Sequence, residues 1–127
     1  SSDTTGVGTA RDGLAAAGYG GDKAIFGYGD TGEYSTGYYY NMTNLVSNTG
    51  VVATDTTGVG TTRKYLAAAG YGGDKAIFGY GWNEADYIRN NLNVTNLVSN
   101  TGVVASDTTG VGTGRYRLAA AGYSTTA

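Results

Sequence analysis

The sequence predicts an all-β protein built from tandem antiparallel repeats of 52 residues. The motif DTTGVGT begins at Asp3 and returns at Asp55 and Asp107, which sets the repeat length. Short runs of β-branched and aromatic residues are bounded by glycine and asparagine, as is typical of strands, and no segment has helical periodicity. We therefore divide the single domain 1–127 into repeat 1 (3–54), repeat 2 (55–106) and a partial repeat 3 (107–127).

The first half of each repeat is predicted to be a tight hairpin. In repeat 1 its strands are residues 14–20 and 23–29, and the glycine-aspartate pair 21–22 is the kind of turn that joins antiparallel strands closely. Both strand sequences return unchanged in repeat 2. An extra copy of the first strand falls at 118–124.

The second half of each repeat supplies two more predicted strands. In repeat 1 these are residues 43–47 and 51–54, joined by the turn sequence Asn-Thr-Gly, and repeat 2 carries them at 95–99 and 103–106. Four antiparallel strands in about 50 residues, repeated, are typical of a β-propeller blade. The alanine- and glycine-rich first strand suits a place near a propeller axis, where several backbones converge.

The order of these segments resembles the kelch repeat. It runs from Arg11 through the small-residue strand, the glycine-ended strand 24–29, the variable stretch 30–42 and two further strands to Arg63. The resemblance implies a kelch-like propeller. The chain departs from the family where Tyr28 splits the glycine doublet and where the fourth strand lacks tryptophan.

Near-identical copies with rewritten inserts also resemble repeat regions of tailed-phage virion and tail-fibre proteins. That second resemblance implies attachment to a receptor or surface, and an extracellular or virion-surface location.

Two repeats are too few to close a propeller, which generally needs four to eight blades. We therefore expect a homo-oligomer, with a trimer of six blades favoured. An intertwined β trimer, or a piece of a longer repeat array, remains an alternative. The extra first strand could bridge to a neighbouring chain and cover an edge that invites aggregation.

Differences between the repeats are concentrated in two places. Repeats 1 and 2 differ at 16 of 52 positions, and 12 of these lie in 30–42 against 82–94, where the length is unchanged. A second, smaller set flanks the unchanged arginine, at positions 10, 12 and 13 and their counterparts. Because strands alternate direction in a meander, both variable stretches should emerge at one end of the sheet, and the unchanged turns at the other.

The substituted residues are those that recognition surfaces favour, namely rigid amphipathic rings with polar neighbours. The predicted ligand-binding residues are Tyr34, Tyr38, Tyr39, Tyr40, Lys64, Tyr65, Trp82, Asp86, Tyr87, Arg89, Tyr116 and Arg117. We expect them to present a hypervariable, Tyr/Trp-rich loop surface to a carbohydrate or a protein. The alternative is a purely structural repeat protein, such as a fibre, a shell or a designed assembly, whose loops make subunit contacts.

Composition argues against several other functions. A net charge of −2 and a pI near 4.8 give no basic field for nucleic acid. The chain has no cysteine and no histidine, so thiol or serine–histidine catalysis and the usual zinc sites lack their residues. We therefore predict a non-enzymatic protein with no cofactor and no metal. No apolar run reaches the roughly 18 residues of a membrane span, so membrane insertion is not expected.

The unchanged arginines, Arg11, Arg63 and Arg115, are predicted to be structural. Each precedes an apolar strand, and we expect them to pair with aspartates such as Asp55 and Asp107.

Overall fold

The computed structural model describes residues 5–31, 39–85 and 88–123 and is all-β, which confirms the predicted class. No helix occurs in these three ranges, and every strand pairing is antiparallel. The strands are β1 (Ala15–Tyr19), β2 (Lys23–Gly27), β3 (Thr43–Val46), β4 (Ala67–Tyr71), β5 (Lys75–Gly79), β6 (Trp82–Ala85), β7 (Ile88–Asn91) and β8 (Thr95–Val98).

The two repeats form equivalent three-stranded sheets, β1-β2-β3 and β4-β5-β8. Their registers match: Ala16 faces Phe26 in the first sheet, and Ala68 faces Phe78 in the second. The predicted hairpin is therefore confirmed in both copies. Its turn contains Gly20 at a φ of 65°, a left-handed conformation that glycine adopts with little steric cost.

The predicted fourth strand is wrong in both repeats. The segment after β3 runs beside it but makes only isolated bridges, Val46 with Val52 and Thr43 with Thr56. Between these two bridges, β3 advances by three residues, from Thr43 to Val46, whereas the neighbouring segment advances by four, from Val52 to Thr56. An extra residue on one side is a β-bulge, and it interrupts the ladder.

A side chain occupies the hydrogen-bonding positions that the bulge leaves open. The Asn44 amide nitrogen donates to the carbonyl oxygen of Ala53 at 3.3 Å and to Oδ1 of Asp55 at 2.8 Å. Asn96 makes the same two bonds in repeat 2. The segment is therefore fixed by an asparagine side chain rather than by regular strand pairing.

The variable stretch of repeat 2 is a hairpin, where the sequence predicted a loop. Strands β6 and β7 pair from Trp82 with Asn91 to Ala85 with Ile88. Asp86 and Tyr87, which lie between them, are outside the described residues, as are residues 32–38 of repeat 1.

The predicted extra first strand is not formed either. Residues 118–123 have the same Ala-Ala-Ala-Gly-Tyr sequence as β1 and β4 but belong to no strand. Both β1 and β4 pair with a following Lys-Ala-Ile-Phe-Gly strand, and the sequence contains no third copy of that partner.

The two sheets pack on each other through a shared core. Its buried residues come from both repeats: Tyr19, Ile25, Tyr28, Leu66, Ala76, Phe78 and Val98. The Phe78 ring lies over Gly27, where a Cβ would be 2.7 Å from its Cζ, and its centroid is 5.1 Å from that of Tyr28. Glycine at 27 is therefore what lets the two repeats approach.

Candidate functional site

Main-chain hydrogen bonds join the two variable stretches within each repeat. In repeat 1, Asp12 and Asp30 exchange bonds of 2.7 and 2.9 Å, and in repeat 2, Lys64 and Trp82 exchange two bonds of 3.0 Å. Positions far apart in sequence are thus held side by side by atoms that do not depend on residue identity. The prediction that both variable stretches lie at one end of the sheets is confirmed.

A second series of bonds links the repeats to one another at this end. The amide of Tyr65 donates to the carbonyl oxygen of Gly13, and the amide of Arg117 donates to that of Tyr65, both at 2.7 Å. All three residues occupy the same position in their repeats and all have positive φ, at 67°, 55° and 56° in order. Only the first is a glycine, so the other two carry side chains in a conformation that disfavours them.

Six predicted ligand-binding residues gather around a seventh, Trp82. We call this set the variable cluster: Tyr39, Lys64, Tyr65, Trp82, Arg89, Tyr116 and Arg117. The Trp82 ring has three aromatic neighbours, with centroid distances of 6.0 Å to Tyr39, 6.4 Å to Tyr65 and 6.0 Å to Tyr116. The variable residues of repeats 1, 2 and 3 therefore contribute to a single surface.

Cations lie over the faces of these rings. Arg89 is 4.7 Å and Lys64 is 5.1 Å from the Trp82 centroid, and Arg117 is 4.5 Å from that of Tyr65. Such cation–π contacts contribute about 0.5–1 kcal/mol each where the groups are exposed. They also hold flexible Lys and Arg side chains near the rings.

Trp82 itself is a packing centre rather than an exposed ring. It is only 9 % exposed, and its indole N–H has no hydrogen-bond acceptor among the described residues. Our sequence-based expectation of Trp82 as a contact residue therefore needs correction. The accessible part of the cluster is its rim, formed by exposed Arg89 and Arg117 and the half-buried tyrosines.

Two carboxylates that the sequence analysis did not select also belong to this end. The buried Asp30 forms an ion pair with Lys64 at 2.9 Å. Burial acts to lower the pKa of Lys64, but the hydrogen bond and the charge of Asp30 outweigh burial, so the pKa is raised. Asp12 and Asp30 both occupy positions that differ between the repeats, and this difference could have identified them from the sequence.

Asp12 shares this environment. Its pKa is raised, first by a hydrogen bond with the Asp30 carboxyl, then by burial and by repulsion from that charge. The hydrogen bond with Asp30 favours the protonated form of Asp12 and so contributes to stability, and Asp30 Oδ1 has no donor among the described residues. Because the folded-state pKa lies above the unfolded value, this contribution to stability is present at low pH and is lost as the pH rises through the raised pKa.

The same contact between repeats has different chemistry at each joint. Position 30 meets position 64 as an aspartate–lysine ion pair, and the equivalent positions 82 and 116 meet as a tryptophan–tyrosine pair. The variable residues that meet at each joint are thus chemically compatible with each other.

Of the other predicted residues the structure describes Tyr40, which does not join the cluster. Tyr40 is half-buried and is tied to the frame through its backbone, accepting from Arg63 at 3.4 Å and donating to Gly29 at 2.8 Å. Tyr34, Tyr38, Asp86 and Tyr87 lie outside the described residues.

Unchanged residues hold the frame under the cluster, although not by the predicted ion pair. Arg63 is fully buried and donates to the carbonyl oxygens of Tyr80 at 2.7 Å and Thr61 at 2.9 Å, and to Asn96 Oδ1 at 2.7 Å. Burial lowers the pKa of its guanidinium. Arg63 therefore pairs directly with no aspartate of the described residues, so the expected pairing is wrong for this arginine.

An asparagine stands between the two charges. The Asn96 amide accepts from Arg63 and donates to Asp107 Oδ1 at 2.9 Å, and Thr61 also donates to Asp107. Burial acts to raise the pKa of Asp107, but these hydrogen bonds outweigh it and lower the pKa. The unchanged DTTGVGT motif therefore anchors each repeat to the one before it.

A groove also lies at the end opposite the variable cluster. It measures about 770 Å³ and is lined by unchanged glycines with Tyr19, Tyr71, Lys23 and Lys75. Both lysines already pair with neighbouring aspartates. Since the residues that line this groove are unchanged between the repeats and both of its lysines are paired, the variable cluster is the better candidate site.

Neither metal nor membrane features accompany these sites. Within residues 5–31, 39–85 and 88–123, no group of three or more His, Cys, Asp or Glu side chains is placed to hold a metal ion. In the same ranges, no helix is long and apolar enough to cross a membrane.

No protein-family model matches the chain, and no curated protein shows significant similarity to it. The likeness to kelch and phage repeats therefore stays a prediction from the sequence pattern.

Proposed function

We propose that this chain is a non-enzymatic recognition module that binds a carbohydrate or a protein segment at the rim of the variable cluster. The observation that carries this proposal is the convergence of both variable stretches on one surface, through backbone bonds of an unchanging frame. Changes confined to one end of a constant scaffold are what selection for different ligands would leave.

The chemistry of the rim suits such ligands. The tyrosine rings provide flat apolar faces for stacking, with hydroxyls that exchange hydrogen bonds. Arg89 and Arg117 are exposed and offer several N–H donors each, which sugar hydroxyls, carboxylates and peptide carbonyls accept. Aromatic and arginine side chains are also the residues that dominate binding energy at protein interfaces.

Arg117 gives a second line of support. Holding a non-glycine residue at a φ of 56° costs on the order of 1 kcal/mol or more, and the equivalent position in repeat 1 is glycine. Strain of this kind is concentrated at functional sites. We take the presence of arginine rather than glycine at this position as a sign that its side chain has a function that offsets the strain.

The finer architecture and location belong to the same proposal. The two sheets would be adjacent blades of a kelch-like propeller, with the variable cluster at one end of the blades. A module of this type would act at a virion or extracellular surface, where it would attach to glycans or proteins of another surface.

A purely structural role is the second candidate, and one observation favours it. The contacts Asp30 with Lys64 and Trp82 with Tyr116 lie between repeats, so part of the variation serves to match neighbouring repeats. In that case the cluster would specify assembly, and no external ligand would bind.

Binding to a glycan array and to immobilised cell-surface protein tests the proposal. We expect Arg89→Ala and Arg117→Gly each to weaken binding at least tenfold, because each removes an exposed donor from the rim. Thr49→Ala, at an exposed unchanged turn of the other end, is the matched control and should bind as the wild type does. Arg117→Gly should melt at the same temperature or higher, because glycine relieves the strained φ.

Two results would count against recognition. A wild-type protein that binds neither array nor cell-surface protein favours the structural role, and so does undiminished binding by both rim variants.

A further inference from the structure

We propose that copies of this chain associate head to tail, through a joint that repeats the packing between repeat 1 and repeat 2. The evidence is a comparison of identical residues in the two repeats. Each repeat has two faces, and the internal joint covers the tail face of repeat 1 and the head face of repeat 2. The opposite faces, which carry the same residues, remain open to a second copy.

The internal joint defines what each face contributes. From the tail face of repeat 1, Ile25, Gly27 and Tyr28 point into the joint, and from the head face of repeat 2, Phe78 and Arg63 meet them. Ile25, Tyr28, Phe78 and Arg63 are all 0 % exposed. The joint thus contains a phenylalanine over a glycine, and an arginine 4.4 Å from a tyrosine ring centroid.

The head face of repeat 1 carries the same groups, and no second repeat covers them in the described part of the chain. Phe26, the counterpart of Phe78, is 38 % exposed. It borders a groove of about 240 Å³ together with Arg11, Leu14 and Asn44. The counterparts of these residues in repeat 2 are buried against repeat 1. The groove is therefore equivalent to the surface of repeat 2 that packs on repeat 1. In repeat 1, no second repeat of the described chain fills it.

The tail face of repeat 2 offers the complementary slot. A Cβ on Gly27 would lie 2.7 Å from the Phe78 ring, whereas the nearest atom to a Cβ on Gly79 would be the methyl of Thr95, at 3.2 Å. Gly79 is buried, but apart from its chain neighbours no ring of the described residues lies within 4 Å of that Cβ position. At the turn end of the same hairpin, where Tyr71 pairs with Lys75, Tyr71 is 39 % exposed, while its counterpart Tyr19 is 5 % exposed. Phe26, one of two phenylalanines in the sequence, is the knob that matches this slot.

The association has a defined polarity. Phe26 of one copy packs on Gly79 of the next, so the two surfaces in contact are different. Contacts of this heterologous kind build a ring if the rotation closes and a filament if it does not. We infer that a second copy of the chain fills these faces, because the residues that would meet in the new joint are identical to those of the internal joint.

One segment has to be exchanged when the joint forms. Residues 107–117 already occupy part of the tail face, with Arg115 4.5 Å from the Tyr80 ring centroid and the Tyr80 hydroxyl donating to Val111 at 2.9 Å. The following residues 119–123 lack a partner strand. In the joint, residues 119–123 pair with β2 of the second copy. They take the place of that copy's own β1, which has the same sequence. The β1–β2 pairing is regained, and burial of Phe26 is the net gain.

Light scattering on two single variants and their mixture tests this arrangement. Phe26→Ala removes the knob, and Gly79→Ala adds a Cβ where the partner's ring must lie. We expect each variant to weaken self-association of the full chain at least tenfold. Mixed in equal amounts, they retain one intact head and one intact tail, so they should form a dimer of twice the 12.9 kDa chain mass and stop there. Val103→Ala, at an exposed site outside both faces, should associate as the wild type does.

The proposal is overturned by several outcomes. These are a wild-type chain that stays at 12.9 kDa at every accessible concentration, variants that associate as the wild type does, or a mixture that forms no dimer. The first of these would assign the open faces to an adjoining repeat of a longer array. None of these measurements depends on ligand binding, so failure here is distinct from failure of the recognition proposal.

Discussion

Arg63 and its two counterparts occupy one sequence position in three environments. Arg63 is fully buried between the repeats, Arg11 is half-buried, and Arg115 is exposed. All three lie at the same place in the frame, so their differences come only from what covers them. Comparing the three arginines therefore shows how much burial between two repeats changes the contribution of one side chain to stability.

We predict a graded loss of stability from alanine at these positions. Arg63→Ala leaves three acceptors without their donor in a buried site, which should lower the free energy of unfolding by about 3–5 kcal/mol. Arg115→Ala, the matched control, loses an exposed cation–π contact and should cost less than about 1 kcal/mol. Urea denaturation measures both, and equal losses would contradict the assignment of Arg63 to the core.

At the scale of single elements, β2 and β5 have the same sequence but different neighbours. Glycine ends both strands, and only Gly27 lies under a ring. The identical substitution therefore has a different cost in each strand, which gives an internal control for the packing between the sheets.

Gly27→Ala should lower the free energy of unfolding by about 1–3 kcal/mol, because Phe78 has to move out of its place. Gly79→Ala should cost less, about 1 kcal/mol or below, because Gly79 is buried but its Cβ would meet only the Thr95 methyl group, at 3.2 Å. The comparison is a pair of thermal melts at low protein concentration, where chains are separate. Equal melting temperatures would mean that the sheets do not pack through this contact.

The elements also show what the sequence allowed us to predict. The hairpins β1–β2 and β4–β5 were found because turn glycines and alternating apolar residues are local signals. The fourth strand was not, since the bulge depends on Asn44 bonding to residues about ten positions away. The convergence of the variable stretches followed from strand direction alone. The burial of Trp82 did not, because it depends on rings supplied by three repeats.

At the scale of the whole molecule, neither repeat is a complete folding unit. The core residues Tyr19, Ile25 and Tyr28 belong to repeat 1 but are covered by repeat 2. Repeat proteins gain their stability from such interfaces between neighbours as well as from the units themselves.

A chain limited to residues 3–54 should therefore be unfolded, because its apolar tail face would be open to water. A chain limited to residues 3–106 is the control and should fold. Amide proton dispersion in an NMR spectrum separates the two states. A well-dispersed spectrum from the single repeat would show that the joint is dispensable for folding.

The bridges that tie each variable stretch to the frame use main-chain atoms, and this affects how the molecule can change. Asp12 with Asp30 and Lys64 with Trp82 have unlike side chains, yet their peptide groups pair in the same way. New side chains at these positions need not re-establish the fold, because they inherit a backbone already held in place. A library randomised at the exposed positions of this end, with the buried Asp30–Lys64 pair and Trp82 kept, should stay folded in most of its members, so new specificities could be selected without loss of solubility.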